Sequence, residues 1–345
     1  MNVDNKIYPF TAIVGQEKMK LALILNVINP SLGGVLIRGE KGTAKSTAVR
    51  SLADLLPERT QIEGCKFSCD PLNIEQACCE CSEKIKNSKP LNRIKSKMKV
   101  IDLPVSATED RVVGTLDIEH AIKKGEKKFE SGILAQANRN ILYVDEVNLL
   151  DDHVVDILLD SAAMGINTVE REGISFIHPA RFSLIGTMNP EEGDLRPQLL
   201  DRFGLVVDVT GESDILQRVE VIKRRLDFEK DSEAFKKSFA FEQSELADKV
   251  QKAIEFLPKV TFEDELLETA AKISTSLGVD GHRADIVMIK ASMTIAAYSM
   301  KEKVSKDDLR EAASYVLPHR MRRRPFEESQ MNMDIIEEKI NEIID

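Results

Sequence analysis

No stretch of this 345-residue chain is apolar for the length of a membrane span, and the opening MNVDNKIYPF has no apolar core of the kind a signal peptide needs. Both absences argue against a transmembrane or secreted class and predict a cytoplasmic chain. Positive charge is also in short supply. Lys and Arg number 48 against 58 Asp and Glu, a formal net charge of −10, which disfavours a broad electrostatic footprint for nucleic acid. The exception is His319 to Arg324 (HRMRRR), read as a solvated helix end near a C-terminal dipole in preference to an anion or partner site. Cysteine is missing from all but one segment: the five cysteines lie between positions 65 and 81. In a chain read as cytoplasmic, such clustering points to metal ligation before disulfides. Cys65, Cys69, Cys78 and Cys81 would supply four thiolates to Zn²⁺ or an iron–sulfur cluster, with Cys79 left over. The alternative is a loop of reduced, non-functional thiols. A metal here would be structural, pinning an excursion between the first helix after the phosphate loop and the strand from Lys99 to Leu103. No fixed-period repeat or low-complexity tract is present.

What the chain does have is a core of ordinary size: 42% apolar and 31% charged residues, at a length sufficient for two domains. Five short apolar runs read as buried strands: Val35–Ile37, Val100–Leu103, Ile141–Val144, Phe182–Gly186 and Leu205–Val209. Helix-like segments between them predict an α/β fold with a mainly parallel five-stranded sheet covered on both faces. Two excursions interrupt the alternation. One is 107–129. The other, 167–181, alternates around Glu172-Gly173 and reads as a β-hairpin. After Thr210 strand signals cease, and the rest predicts a small all-α domain. Thr261-x-x-Asp264 and Ser305-x-x-Asp308 read as capping boxes; Leu266, Ala270, Ile273 and Leu277, and Leu309, Ala312, Ala313 and Val316, read as buried stripes.

The chemistry concentrates at Gly39-Glu40-Lys41-Gly42-Thr43-Ala44-Lys45-Ser46-Thr47, between an apolar strand and a helix. Loop amides and a helix N-terminus face an anion there; Lys45 reaches terminal phosphates, and Ser46 ligates the accompanying Mg²⁺. The usual pattern, GxxxxGK[ST], has glycine where this chain has Ala44, and an alanine suits a helix start but not a positive φ. Downstream, Ile141-Leu142-Tyr143-Val144-Asp145-Glu146 is an apolar strand ending in two carboxylates. Asp145 would hold the Mg²⁺ and Glu146 would polarise the attacking water. Asn189, after the strand Phe182 to Met188, either helps place that water or is a turn residue before Pro190. Arg202 either serves as a finger in a neighbouring subunit's site or pairs with Asp201. Arg283, at a helix start after Gly281-His282, would reach back to the γ-phosphate.

Together these segments resemble AAA+ ATPases, specifically the ATPase (I-type) subunit of magnesium chelatase and its cobaltochelatase relatives. The resemblance covers nearly the whole chain and is densest in ATEDRVVGTLDIEHA, ILYVDEVNLLDDHVVDILLDSAA, NTVEREGISFIHPARF and NPEEGDLRPQLLDRFG. It implies a P-loop ATPase domain over 1–230, with a helix-2 insert (107–129) and a pre-sensor hairpin (167–181), then a helical lid over 231–345. It implies ATP and Mg²⁺ as cofactors, with Lys45, Ser46, Asp145 and Glu146 at their centre. Asn189 corresponds to sensor 1, Arg202 to the arginine finger and Arg283 to sensor 2. The segment Phe10–Gln16, with Val14, matches the family's adenine contact. It further implies a homo-oligomeric ring, commonly a hexamer, working with D-type and large tetrapyrrole-binding chelatase subunits. The inserted metal, Mg²⁺ or Co²⁺, is distinct from the nucleotide's ion. A MoxR-type remodelling chaperone, a DNA-translocating enzyme and a non-hydrolysing assembly scaffold are the competing readings. Ala44 and the cysteine segment depart from the family pattern.

Overall fold

The computed structural model describes residues 7–87, 91–116, 129–171, 174–321 and 333–344. Each of the five apolar runs becomes a strand of one sheet: β1 (Val35–Gly39), β4 (Val100–Leu103), β7 (Ile141–Val144), β10 (Ser183–Met188) and β11 (Leu205–Val209). Their order is β11-β1-β10-β7-β4, and every neighbouring pair is parallel. Successive side chains point to opposite faces. Val35, Ile37, Ile141, Tyr143, Leu205 and Val207 therefore enter one apolar cluster, and Leu36, Leu142, Val144, Leu184 and Val206 enter another. Both faces are covered, which is why these runs are continuously apolar instead of alternating.

Helices α1 (Glu17–Ile28) and α2 (Lys45–Leu55) cover the first face. The second is covered by α6 (Asp152–Met164), together with residues of three small antiparallel pairs and the cysteine segment. Those pairs are β2 (Arg59–Ile62) with β3 (Arg93–Ser96), β5 (Gly114–Leu116) with β6 (Phe129–Ser131), and β8 (Ile166–Arg171) with β9 (Ile174–Pro179). Short helices α3 (Cys79–Lys86), α4 (Glu109–Val113) and α5 (Ile133–Ala137) link them. The middle of the 107–129 excursion and the Glu172-Gly173 tip of the hairpin lie outside the described residues.

Beyond β11 the described chain is helical: α7 (Pro197–Leu200) precedes β11, and α8 (Ile215–Lys230), α9 (Ser232–Ser238), α10 (Ala240–Phe256), α11 (Asp264–Ser276), α12 (Arg283–Tyr298), α13 (Lys306–Val316) and α14 (Met333–Ile344) follow it. Both apolar stripes are buried as expected. Ser305 and Asp308 form a reciprocal capping box on α13. Thr261 does not cap α11. It bridges Lys303 instead, and Glu263 occupies the N-cap without a side-chain hydrogen bond. Within this helical region, α12 docks near the amino end of β1. Asn29 Nδ2 donates to Thr294 Oγ1 at 3.1 Å, and Lys290 Nζ to the Ser31 carbonyl at 3.4 Å, both partners lying just upstream of β1 or on α12.

The basic cluster is a correction to the reading of it as a solvated helix end. Arg320 is buried and His319 half-buried beneath the start of β11. Arg320 donates to the carbonyls of Asp201 at 2.9 Å and Gly204 at 3.2 Å, and His319 Nε2 lies 3.2 Å from the carbonyl of Phe203. Five donors in a planar fork let one arginine satisfy several backbone acceptors that no strand partner reaches. Arg322 to Arg324 lie outside the described residues.

Candidate nucleotide site

The loop from Gly39 to Ala44 leaves the carboxyl end of β1, beside the carboxyl ends of β10 and β7. Gly39 is required by close approach: a Cβ there would stand 2.1 Å from the Val209 carbonyl oxygen of β11. Gly42 turns the loop at φ +85°. Ala44 precedes α2 at φ 60°, in the left-handed region. The expectation that alanine marks a helix start free of positive φ is thus overturned. The loop's path demands that conformation whatever the residue, at a cost of about 1–2 kcal/mol for a side chain bearing a Cβ.

Lys45 opens α2 and folds its Nζ onto the loop, donating to the Gly39 carbonyl and, at 2.8 Å, to the Glu40 carbonyl. Partial burial pushes its pKa down, while Asp145, Glu146, Glu192 and Glu40 pull it up. Ser46, Tyr143, Asp145 and Thr187 form one polar knot. The Tyr143 hydroxyl donates to Asp145 Oδ1 at 2.9 Å and lies 3.1 Å from Ser46 Oγ; Thr187 Oγ1 donates to the same Asp145 oxygen at 2.6 Å. Burial raises the Tyr143 pKa to about 12, so the phenol keeps its proton and its donor role at neutral pH. Ser46 and Asp145 are hard oxygen donors held within one hydroxyl of each other, the donor set Mg²⁺ favours. Glu146 takes a left-handed backbone (φ 54°, ψ 53°), its amide lies 3.4 Å from Thr187 Oγ1, and its carboxylate is part-exposed 4.0 Å from Lys41 Nζ. Lys41 itself pairs with Glu192 at 2.5 Å. Asn189 is buried at the end of β10, its Oδ1 accepting from the Glu191 amide at 3.3 Å.

A cavity of about 700 Å³ adjoins the loop. It is lined by Glu40 to Ala44 and Thr47, by Val14 with Tyr8, Ile13 and Gln16, and by Thr210 to Ser213, Arg218, Val221 and Arg225. The volume is that of a small-molecule site, and Val14 is among the residues that line it. Tyr143, Thr187, Arg218 and Arg225 were not legible as site residues. A usable signal existed for the last two: Arg218, Val221 and Arg225 share one face of α8 at i, i+3, i+7.

Arg202 and Arg283 are elsewhere. Register pairs Val35 with Leu205 and Gly39 with Val209. Residues 201–204 therefore sit at the amino end of β11, about 13 Å of strand from the loop. Arg202 is bound not to Asp201 but to Asp156 and Asp160 of α6. Asp201 pairs with Arg283 at 3.5 Å and Arg320 at 3.2 Å. Arg283, expected to reach the γ-phosphate, therefore lies at the opposite end of the sheet from its own chain's loop, beside Asp201.

Cys65, Cys69, Cys78 and Cys81 converge on the far side of the sheet, their sulfurs all within 4.8 Å of one another. Cys79 is exposed.

Residues 88–203 match the AAA domain of the dynein-related subfamily, and residues 267–339 match the AAA lid domain. The magnesium-chelatase subunit ChlI homolog of Methanocaldococcus jannaschii is 60% identical over 99% of this chain and 93% of its own length. Subunit ChlI of Mesostigma viride is 50% identical over 94% of this chain and 90% of its own. A chain from the complex between subunits BchI and BchD of magnesium chelatase is 46% identical, covers 92% of this chain and 97% of that one, and superposes with a TM-score of 0.55. Identity of that order, sustained along nearly the full length of each partner, makes this chain a member of the magnesium-chelatase ChlI family of AAA+ ATPases.

Proposed function

We propose that this chain is the ATP-hydrolysing motor of a magnesium-chelatase-type complex, and that partner subunits carry out the metal insertion it drives. The observation that carries the ATPase half is the polar knot joining Ser46 of the phosphate loop to Asp145 of β7 through Tyr143. It ties the two halves of a Mg²⁺–triphosphate site together before any ligand arrives. Loop amides and the α2 N-terminus receive the phosphates. Lys45 exchanges the Gly39 and Glu40 carbonyls for phosphate oxygens. Ser46 and Asp145 would hold the nucleotide's Mg²⁺, which would supply charge neutralisation on the phosphates. Glu146 accepts the proton of the attacking water, and Asn189, buried beside it at the end of β10, restrains that water.

Arg202 lies a strand's length from its own loop, so it completes a site only in another copy, where it stabilises charge on the transferred phosphoryl group. Arg283 belongs to the same presenting edge. This requirement supports a homo-oligomeric ring, read as a hexamer by family resemblance. The likeness to a chain of the BchI–BchD complex supports a D-type partner; a large tetrapyrrole-binding subunit would receive the substrate metal, Mg²⁺ or Co²⁺. None of the described helices is long and apolar enough to cross a membrane, which fits the cytoplasmic setting proposed. The four clustered cysteines are read as a zinc or iron–sulfur site.

Glu146→Gln tests the chemistry. The variant is expected to bind ATP with wild-type affinity while phosphate release falls by roughly a hundredfold or more; near-normal turnover would remove Glu146 from its role. Copurification of the native complex tests the rest: a large tetrapyrrole-binding subunit supports the chelatase reading, and unrelated protein clients with no such subunit replace it with a remodelling chaperone.

A further inference from the structure

The cysteine segment takes no part in the nucleotide chemistry, yet it is built as tightly as the phosphate loop. We propose that Cys65, Cys69, Cys78 and Cys81 hold a single Zn²⁺ as a closed tetrathiolate, and that the ion braces the loop carrying Phe67 against the base of the β8–β9 hairpin. This extends the metal reading of the cysteines and stands independently of the chelatase assignment.

Geometry selects a mononuclear ion. All four sulfurs lie within 4.8 Å of one another, with Cys65 and Cys78 at 3.9 Å. A regular tetrahedron with zinc–sulfur bonds of about 2.3 Å sets its sulfurs about 3.8 Å apart. A multi-iron cluster interposes iron and sulfide between its cysteines and needs a wider cage. All four thiols are free of disulfides, and Cys65 and Cys78 at 3.9 Å are well beyond the bonded S–S length of about 2.05 Å. Backbone donors already point at the sulfurs: the Cys78 amide to Cys69 Sγ at 3.2 Å and the Phe67 amide to Cys65 Sγ at 3.4 Å. Cys78 is the N-cap of α3 and Cys81 lies in its first turn, so one short helix start presents both sulfurs. Cys69, Cys78 and Cys81 are buried, so the quartet has the closed character of a structural site.

The brace follows from what the loop touches. Phe67, between Cys65 and Cys69, stacks on His178 of β9 with centroids 4.8 Å apart. Burial lowers the His178 pKa, and its Nε2 lies 2.9 Å from Asn167 Nδ2 on β8. The Phe67 carbonyl accepts from Asn138 at 2.6 Å, and Arg139 donates to the Thr60 and Ser68 carbonyls at 2.9 and 3.0 Å. Asn138 and Arg139 directly precede β7, the strand that ends at Asp145 and Glu146. One ion thus fixes a loop that grips both the hairpin and the entry to the catalytic strand.

The test uses the full chain, produced with zinc and iron both supplied. Elemental analysis is expected to return one zinc per chain, falling at least tenfold in Cys65→Ser and Cys81→Ser and unchanged in Cys79→Ser. Replacement of the native ion by Co²⁺ should give the visible absorption of a tetrahedral cobalt thiolate, a readout that needs no cysteine variant to fold. Iron in place of zinc, or a metal-free chain with two disulfides, overturns the site. For the brace, Phe67→Ala is expected to keep its zinc and bind ATP normally while amide exchange across 166–171 and 174–179 rises at least tenfold. Unchanged exchange there, with zinc retained, overturns the brace and leaves the ion standing.

Discussion

Tyr143 is apolar in its surroundings and polar in its task. Its ring is buried in the sheet's first apolar face, while its hydroxyl lies between Ser46 and Asp145. Replacement by Phe keeps the packing and deletes one hydroxyl, so stability should be nearly unchanged. The loss falls on the orientation of the two oxygen ligands. Partners of this kind around a metal site are worth about 10- to 100-fold in metal affinity. Tyr143→Phe is therefore expected to raise the Mg²⁺ concentration needed for half-maximal ATPase rate by about that factor, as read from a Mg²⁺ titration at fixed ATP. No change would mean that Ser46 and Asp145 orient themselves unaided. In the sequence this tyrosine sits inside an apolar run and reads as core. Only the sheet register, which sets β7 beside β10 and brings Thr187 within reach of the same carboxylate, reveals its second role.

Among the elements, the helices of the carboxyl-terminal region separate a real cap from an apparent one. Ser305 and Asp308 close a reciprocal box at the start of α13, and the Lys301 ammonium reaches the buried Asp308 carboxylate at 2.9 Å. Thr261 has the same spacing to Asp264, but its hydroxyl goes to the Glu302 carbonyl at 3.2 Å. Ser305→Ala should lower unfolding free energy by about 1 kcal/mol, measured by urea denaturation, with little effect on ATP turnover. A loss below a few tenths of that would show that Lys301 and Asp308 hold the helix start without the serine. Spacing alone made the two motifs equivalent; the chain crossing at Lys303 distinguished them, because a hydroxyl serves the acceptor that tertiary packing brings nearest.

Across the whole molecule, the decisive feature is that two working edges lie at opposite ends of one parallel sheet. The phosphate loop is at the carboxyl end; Arg202, Arg283 and Arg320 are at the amino end. On the proposed roles, Glu146→Gln lacks a base but keeps Arg202, and Arg202→Ala lacks the finger but keeps its own loop and carboxylates. Each alone should be inactive, Arg202→Ala by about a hundredfold or more. Mixed, they should regain phosphate release, since some interfaces then pair an intact loop with an intact finger. Failure of the mixture, despite mixed oligomers, would return Arg202 to a purely structural part. The docking also carries a pH signature. His319 is half-buried, and its desolvation with Arg320 nearby holds its pKa well below the usual imidazole value. The unfolded chain takes up a proton near 6.5 and the folded chain does not, so stability is complete above that pH. It is lost on acidification from 6.5 toward the depressed folded value, at up to about 1.4 kcal/mol per pH unit. His178, also lowered by burial, adds a contribution of the same sign. Melting temperature should fall between pH 6.5 and pH 5, and His319→Gln should make that fall shallower; an unchanged slope would show that His319 does not titrate with unfolding.

The sequence by itself determined the five buried strands, the phosphate loop, the paired carboxylates and the cysteine quartet, because each is written in local pattern: apolar runs, glycine spacing, adjacent acids, clustered thiols. The tertiary structure alone decided which end of the sheet each arginine occupies, that Tyr143 and Thr187 join Ser46 and Asp145 in one polar knot, and that His319 and Arg320 turn to the carbonyls before β11 instead of to solvent. Those facts depend on strand order, register and helix docking, which bring together residues far apart in the chain, and no local pattern encodes a distance of that kind.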